Sequence, residues 1–123
     1  MPKDFERSRR VADVIQQEIV ALIRHEVKDP RVEGLLTVTD VEVSSDLSQA
    51  KVYITQLDGD VHEAVEALNN AAGFLRKELG RRVKLRIVPY LKFFYDESIE
   101  RGASMASLIQ RARQSDTDGD SDV

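Results

Sequence analysis

The chain has 123 residues, enough for one domain with one core, and its formal charge of −4 is not that of a uniformly basic nucleic-acid binder. It contains no cysteine, which excludes disulfides and thiolate metal sites and suits a reducing compartment. The longest apolar run, Ile19 to Ile23, is far short of the ~18 residues of a membrane span, and no signal-peptide pattern is present, so a cytoplasmic protein without membrane association is expected.

Residues 1–7 read as a flexible basic leader. From near Ser8, the positions Val11, Val14, Ile15, Ile19, Leu22, Ile23 and Val27 recur at helical spacing, and Asp29-Pro30 ends the pattern. Lys3, Arg7, Arg9 and Arg10 place positive charge at the start of this helix, where the backbone dipole disfavours it unless an anion is near. These side chains are either solvated or an arm that touches phosphate.

Leu36 to Val43 is rich in Val and Thr and reads as a strand whose apolar parity switches between Leu36/Val38 and Val41/Val43. One extra residue near Thr39-Asp40 reconciles the halves, so a bulge is expected there. Ser44 to Ser48 supplies turn chemistry, and Ala50, Val52 and Ile54 alternate with Lys51, Tyr53 and Thr55 as a second strand, completing a hairpin.

The stretch from Asp60 to Asp96 organises the chain. Val61, Ala64, Val65, Leu68, Ala72, Leu75 and Leu79 form one helical face that persists through Ala71-Ala72-Gly73. Asp60, with Glu63 three residues on, supplies an N-terminal cap. Gly73 costs a helix interior roughly 1 kcal/mol relative to Ala, so Ala71, Ala72 and Gly73 mark a bend, or else close packing against the sheet. Gly80 is expected to close the helix as a left-handed terminal residue. Leu85 to Val88 then leads through Pro89 into an aromatic strand, Tyr90 to Tyr95, and Ser98 or Ser104 begins a short helix carrying Met105, Leu108 and Ile109. This order predicts an α+β domain over residues 8–113, a three-stranded sheet with helices on one face and a short C-terminal helix. Residues 114–123 form an acidic tail expected to be disordered, which either competes for a basic face or keeps the protein soluble.

Charge is concentrated between Phe74 and Tyr95, where Arg76, Lys77, Arg81, Arg82, Lys84, Arg86 and Lys92 are opposed by Glu78 alone. With Arg7, Arg9 and Arg10, the first six of these are the candidate RNA-binding residues, against the plainer reading of a solvated face and a dipole-complemented helix end. No catalytic residue, metal site or cofactor is expected. His25 and His62 stand alone, no phosphate-binding or nucleophile motif occurs, and Asp96 and Glu97 have no base or nucleophile to work with. A second reading makes the chain a protein-interaction module acting through Val38, Tyr53 and the sheet surface.

Several blocks resemble the bacterial ribosome-binding factor A family, and the likeness runs from about Arg7 to Arg113. They are Val27-Lys28-Asp29-Pro30-Arg31, Val38 to Ser44, Ala50-Lys51-Val52-Tyr53, Ala71 to Arg76, Leu79-Gly80-Arg81-Arg82, and Phe93 to Ser98. The resemblance implies a type II KH-like domain, of order α-β-β-α(kink)α-β, in which an Ala-x-Gly kink replaces the usual GXXG loop. It further implies a non-enzymatic factor that binds the free 30S ribosomal subunit, assists late maturation and 5′-end processing of 16S rRNA, and matters most in the cold; the sequence itself is silent on oligomeric state, a monomer being the default. Ribosomal proteins or other assembly factors are further possible partners. Ser45, where Pro is common, and Tyr90, where an acid is common, depart from the pattern.

Overall fold

The computed structural model describes residues 2–32, 36–57 and 59–98. In chain order these form α1 (Pro2–Glu26), a 3-10 turn (Pro30–Val32), β1 (Leu36–Val43), β2 (Gln49–Gln56), α2 (Val61–Asn70), α3 (Ala72–Arg82) and β3 (Tyr90–Tyr95). The three strands lie in the order β1-β2-β3, with β1 antiparallel and β3 parallel to β2. This is the expected α+β order with its kinked helix. The C-terminal helix expected around Met105, Leu108 and Ile109, and the acidic tail, lie outside the described residues.

Side-chain alternation sends one set of strand residues toward the helices. Val38, Val41, Ala50, Val52, Ile54, Leu91 and Phe93 are buried, while Thr37, Lys51 and Lys92 are exposed on the opposite face. The parity switch in β1 is resolved where it was expected. Val38 pairs with Ile54 and Asp40 with Tyr53, leaving Thr39 as the extra residue. The helices cover the buried face with Ile15, Ile19 and Leu22 of α1, Leu68 of α2, and Leu75 and Leu79 of α3, all fully buried. That single core fixes α3 against the sheet and so sets where its outer surface points.

Helix limits differ from the sequence reading in two places. α1 begins at Pro2, ahead of the expected start near Ser8. Pro is well accommodated in a first helical turn, and the Ser8 hydroxyl donates back to the Phe5 carbonyl at 3.0 Å, inside the helix, in place of capping it. Gly80 does not end α3 in a left-handed conformation: the helix runs on to Arg82 with Val83 extended after it, and Gly59 is the positive-φ glycine of the described chain. An added Cβ at position 80 would meet Val88 Cγ2 at 3.4 Å, an ordinary contact, so nothing in the structure requires glycine there. α2 starts as its sequence indicates, with Asp60 Oδ1 accepting from the backbone N–H groups of His62 and Glu63.

Two turns are held by single carboxylates. Asp29 accepts from the Arg31 backbone N–H and from its guanidinium, which holds the Asp29 carboxyl below its ordinary value and sets the turn after α1. In the hairpin, Asp46 accepts from the Ser44 hydroxyl at 2.7 Å, the Ser48 hydroxyl at 2.7 Å and the Ser48 N–H at 3.0 Å. Leu47 there adopts φ 64°, an uncommon conformation for a bulky residue, and its side chain is buried.

Candidate nucleic-acid interface

The bend between α2 and α3 is confined to one residue. Ala71 (φ −94°, ψ 3°) is at once the C-cap of α2 and the N-cap of α3, and its N–H is shared between the carbonyls of Ala67 and Leu68 at 3.1 Å each. Two residues on, Gly73 is exposed, and a Cβ built there meets nothing within 4 Å. Close packing against the sheet is therefore not the reason for Gly73, because that position opens to solvent.

Helical spacing extends this opening into a stripe. Asn70, Gly73, Phe74, Lys77 and Arg81 lie along one side of the helix pair and are all exposed, opposite the buried Leu75 and Leu79. Phe74 was not among the expected site residues, yet 45% of its surface is open beside the bare backbone of Gly73. The signal was available in the sequence as an aromatic residue off the apolar face and next to a helical glycine. Chemically, the stripe offers an uncovered backbone, a flat ring and two cations in series, a combination that suits single-stranded nucleic acid.

The expected basic residues are not gathered around the kink. Only Arg76 and Lys77 lie within about a turn of Gly73. Arg81 and Arg82 stand at the far end of α3, roughly 14 Å along the axis at 1.5 Å per residue, and Lys84 and Arg86 continue from there along the connector. Arg81 sits 3.4 Å from Glu78 and Arg82 4.0 Å from Glu26. The Arg81 side chain is 65% exposed against a largely covered Glu78, and Arg82 and Glu26 are each about a third exposed, so both guanidiniums reach solvent and can exchange their carboxylate for phosphate. Lys77, Lys84 and Arg86 are exposed and have no ion pair among the described residues.

Arg76 has a different role from its neighbours. Its Nε–H donates to the Val88 carbonyl at 3.1 Å, and the guanidinium lies 4.0 Å above the Tyr90 ring. It thus ties the connector, and with it Lys84 and Arg86, back onto α3. The ring of Tyr90 holds the cation through its π face, where a carboxylate at the same position would hold it by charge.

Arg7, Arg9 and Arg10 are on the opposite end of α1 from Arg82. Arg82 meets Glu26 at the C-terminus of α1, and Arg10 is sixteen residues away along the helix, roughly 24 Å. The structure therefore does not join the two basic groups into one patch. The sheet route is also narrowed: Val38 is 7% exposed and faces the core, while Tyr53 stacks on Phe94 with centroids 5.7 Å apart and donates to Glu42 at 3.4 Å. Burial and the Glu42 charge raise the Tyr53 phenol above its ordinary value, so it is a neutral donor at physiological pH.

Asp96 accepts from the Thr39 hydroxyl at the bulge and from the Ser98 N–H at 2.9 Å, which makes it a structural residue joining the end of β3 to β1. No group of three or more His, Asp or Glu is close enough to hold a metal ion among the described residues, and no described helix is long and apolar enough to cross a membrane.

Comparison with known proteins shows the family and the fold. The family model for ribosome-binding factor A matches residues 7–109. A ribosome-binding factor A of Thiobacillus denitrificans is 54% identical over 114 residues, covering 91% of each chain. The crystal structure of ribosome-binding factor A from Thermus thermophilus is similar at a TM-score of 0.55 and 34% identity, over 72% of this chain and 90% of that one. A homology model of the Thermus thermophilus factor, fitted into the cryo-EM map of its complex with 30S, is similar at a TM-score of 0.55 and 32% identity, over 74% of this chain and 92% of that one.

Proposed function

The chain belongs to the ribosome-binding factor A family, and from that membership we propose that it binds the free 30S ribosomal subunit in the cytoplasm and assists late maturation and 5′-end processing of 16S rRNA, above all in the cold. It acts as a binding factor and not as an enzyme. The observation that carries this reading is the exposed stripe of Asn70, Gly73, Phe74, Lys77 and Arg81, continued by Lys84 and Arg86, which have no ion pair among the described residues.

KH-type modules hold single-stranded RNA against a helix junction, with backbone N–H groups near the phosphates. Here the junction is a single residue, Ala71, in place of a loop, so the grip depends on shape and charge, with Phe74 as an aromatic platform beside it. Arg81, Arg82, Lys84 and Arg86 neutralise phosphates from the far end of α3 along the connector, and Arg76 keeps the segment that bears the last two in place. Release follows when maturing rRNA leaves the conformation that fits this surface, a shift of population between two states of the subunit.

Co-sedimentation through a sucrose gradient tests this function. The protein is expected in the fractions holding free 30S subunits and absent from those holding assembled ribosomes. Equal recovery in both, or recovery in neither, would overturn it.

A further inference from the structure

The two edges of the sheet are treated differently. In β3, the outward N–H and C=O of Phe93 are both taken by the Asn69 side chain, at 2.8 and 3.0 Å, which closes that edge at its centre. In β1 the outer edge is open among the described residues. The Ser44 N–H donates to the Gln49 carbonyl at 2.9 Å, so antiparallel alternation makes Glu42/Lys51 and Asp40/Tyr53 the bonded pairs and turns the backbone of Val41 and Val43 outward. Among the described residues, the Val41 N–H is met by the carboxylate of its neighbour, Asp40 Oδ1, at 2.9 Å. The Val43 N–H and C=O have no hydrogen bond among the described residues.

This edge lines a groove. Asp40 to Val43 form one wall, and the exposed side of α1, bearing Phe5, Arg9, Asp13 and Gln16, forms the other, enclosing about 390 Å³. A second hollow of about 220 Å³ continues along Glu42, Val43, Ser44, Gln49 and Lys51. An open strand edge facing a helix across a cleft is the arrangement in which an extended peptide adds to a sheet. Four residues of β1 at ~3.4 Å each give a ladder for about four residues of guest.

Charge decides the guest. The groove presents the carboxylates of Asp13, Asp40 and Glu42 against the guanidinium of Arg9, with the Lys51 ammonium at its far end, so carboxylates outnumber cations along it. A nucleic acid strand is repelled there, and so is an acidic segment such as Asp116 to Asp122 of this chain. A peptide alternating apolar and basic residues instead places its cations beside these carboxylates and its main chain on Val41 and Val43.

We propose that the outer edge of β1, with the facing side of α1, is a docking site for an extended lysine- and arginine-rich protein segment, which joins the sheet as a fourth strand. Its carbonyl displaces the Asp40 carboxylate from the Val41 N–H, and its backbone satisfies both groups of Val43. The site is separate from the RNA-facing stripe on α3, so a subunit can be held by rRNA on one side and by a basic protein tail on the other.

The test uses the full chain and an acetylated, amidated octapeptide alternating valine with lysine. Fluorescence anisotropy at physiological salt is expected to show saturable binding, and amide exchange at Val43 is expected to slow on adding peptide. Asp13→Asn with Glu42→Gln should weaken binding about tenfold, the sum of two exposed charge pairs. The same peptide N-methylated at alternate residues, with its charge unchanged, should not bind. Equal binding of the methylated peptide would overturn the proposal, because the contact would then be charge alone. A slowly exchanging Val43 N–H before peptide is added would also overturn it, because the edge would already be covered by another part of the chain or by a second copy.

Discussion

Asn69 and Phe93 clasp each other at two points, the Asn69 Nδ2 donating to the Phe93 carbonyl at 3.0 Å and the Phe93 N–H donating to Asn69 Oδ1 at 2.8 Å. Asn69 lies two residues before the pivot at Ala71, so a side-chain amide that imitates a neighbouring strand also fixes the last turn of α2 to the sheet. Asn69→Ala removes both bonds and leaves the Phe93 pair without a partner at a half-buried position. A loss of about 1–3 kcal/mol is expected, seen as a lower urea midpoint with an unchanged slope. An unchanged midpoint would show that the clasp contributes nothing to stability.

Much of this frame is legible in the sequence, for local reasons. The parity change at Thr39, the Asp60 cap and the bend at Ala71 each leave a mark within a few residues of themselves. Gly80 misleads because a helical glycine near Arg81-Arg82 suggests an end, whereas α3 runs on to Arg82, beside Val88 of the connector that folds back onto it. Seven bases between Phe74 and Tyr95 look like one cluster on paper. At 1.5 Å per residue, α3 spreads four of them along its length, the connector carries Lys84 and Arg86 and β3 carries Lys92, while Arg76 turns inward to Val88 and Tyr90. Phe74 escapes notice because sequence periodicity directs attention to the buried face. The clasp by Asn69 and the open edge of β1 depend on strand order, which no local pattern encodes.

Gly73→Ala separates stability from function. The position is helical, without positive φ, and open to solvent, so alanine should stabilise the fold by about 0.5–1 kcal/mol. The new methyl group stands where RNA backbone would approach, so affinity for free 30S subunits should fall. A rise in melting temperature with undiminished binding would remove Gly73 from the interface.

Phe74 is 45% exposed, so Phe74→Ala should lower stability by about 1 kcal/mol, part of the value of a fully buried ring, and leave the fold intact. If the ring stacks on a base, its removal weakens subunit binding by about 1–3 kcal/mol, roughly 5- to 150-fold. Phe74→Tyr should retain most of the affinity. Equal binding by the alanine variant would exclude stacking.

Acid should loosen the hairpin through Asp46, whose carboxyl is held at about 2, below the ordinary 3.8, by the Ser48 hydroxyl, the Ser44 hydroxyl and the Ser48 N–H. A carboxyl depressed by folding contributes its full stabilisation above the unfolded value and loses it as pH falls toward the folded one. Thermal stability should therefore decline more steeply from about pH 4 to pH 2 in the native chain than in Asp46→Asn. An NMR titration of Asp46 near the ordinary carboxylate value would contradict this.

The salt dependence of binding to free 30S subunits tests most directly whether the outer surface of α3 and its connector grips ribosomal phosphate, as proposed. With Arg81, Arg82, Lys84 and Arg86 all changed to alanine, the slope of log affinity against log salt should flatten by about 0.7–0.9 for each lost phosphate contact, roughly 3 in total. The same slope in the native and altered proteins would place the RNA contact elsewhere on the molecule.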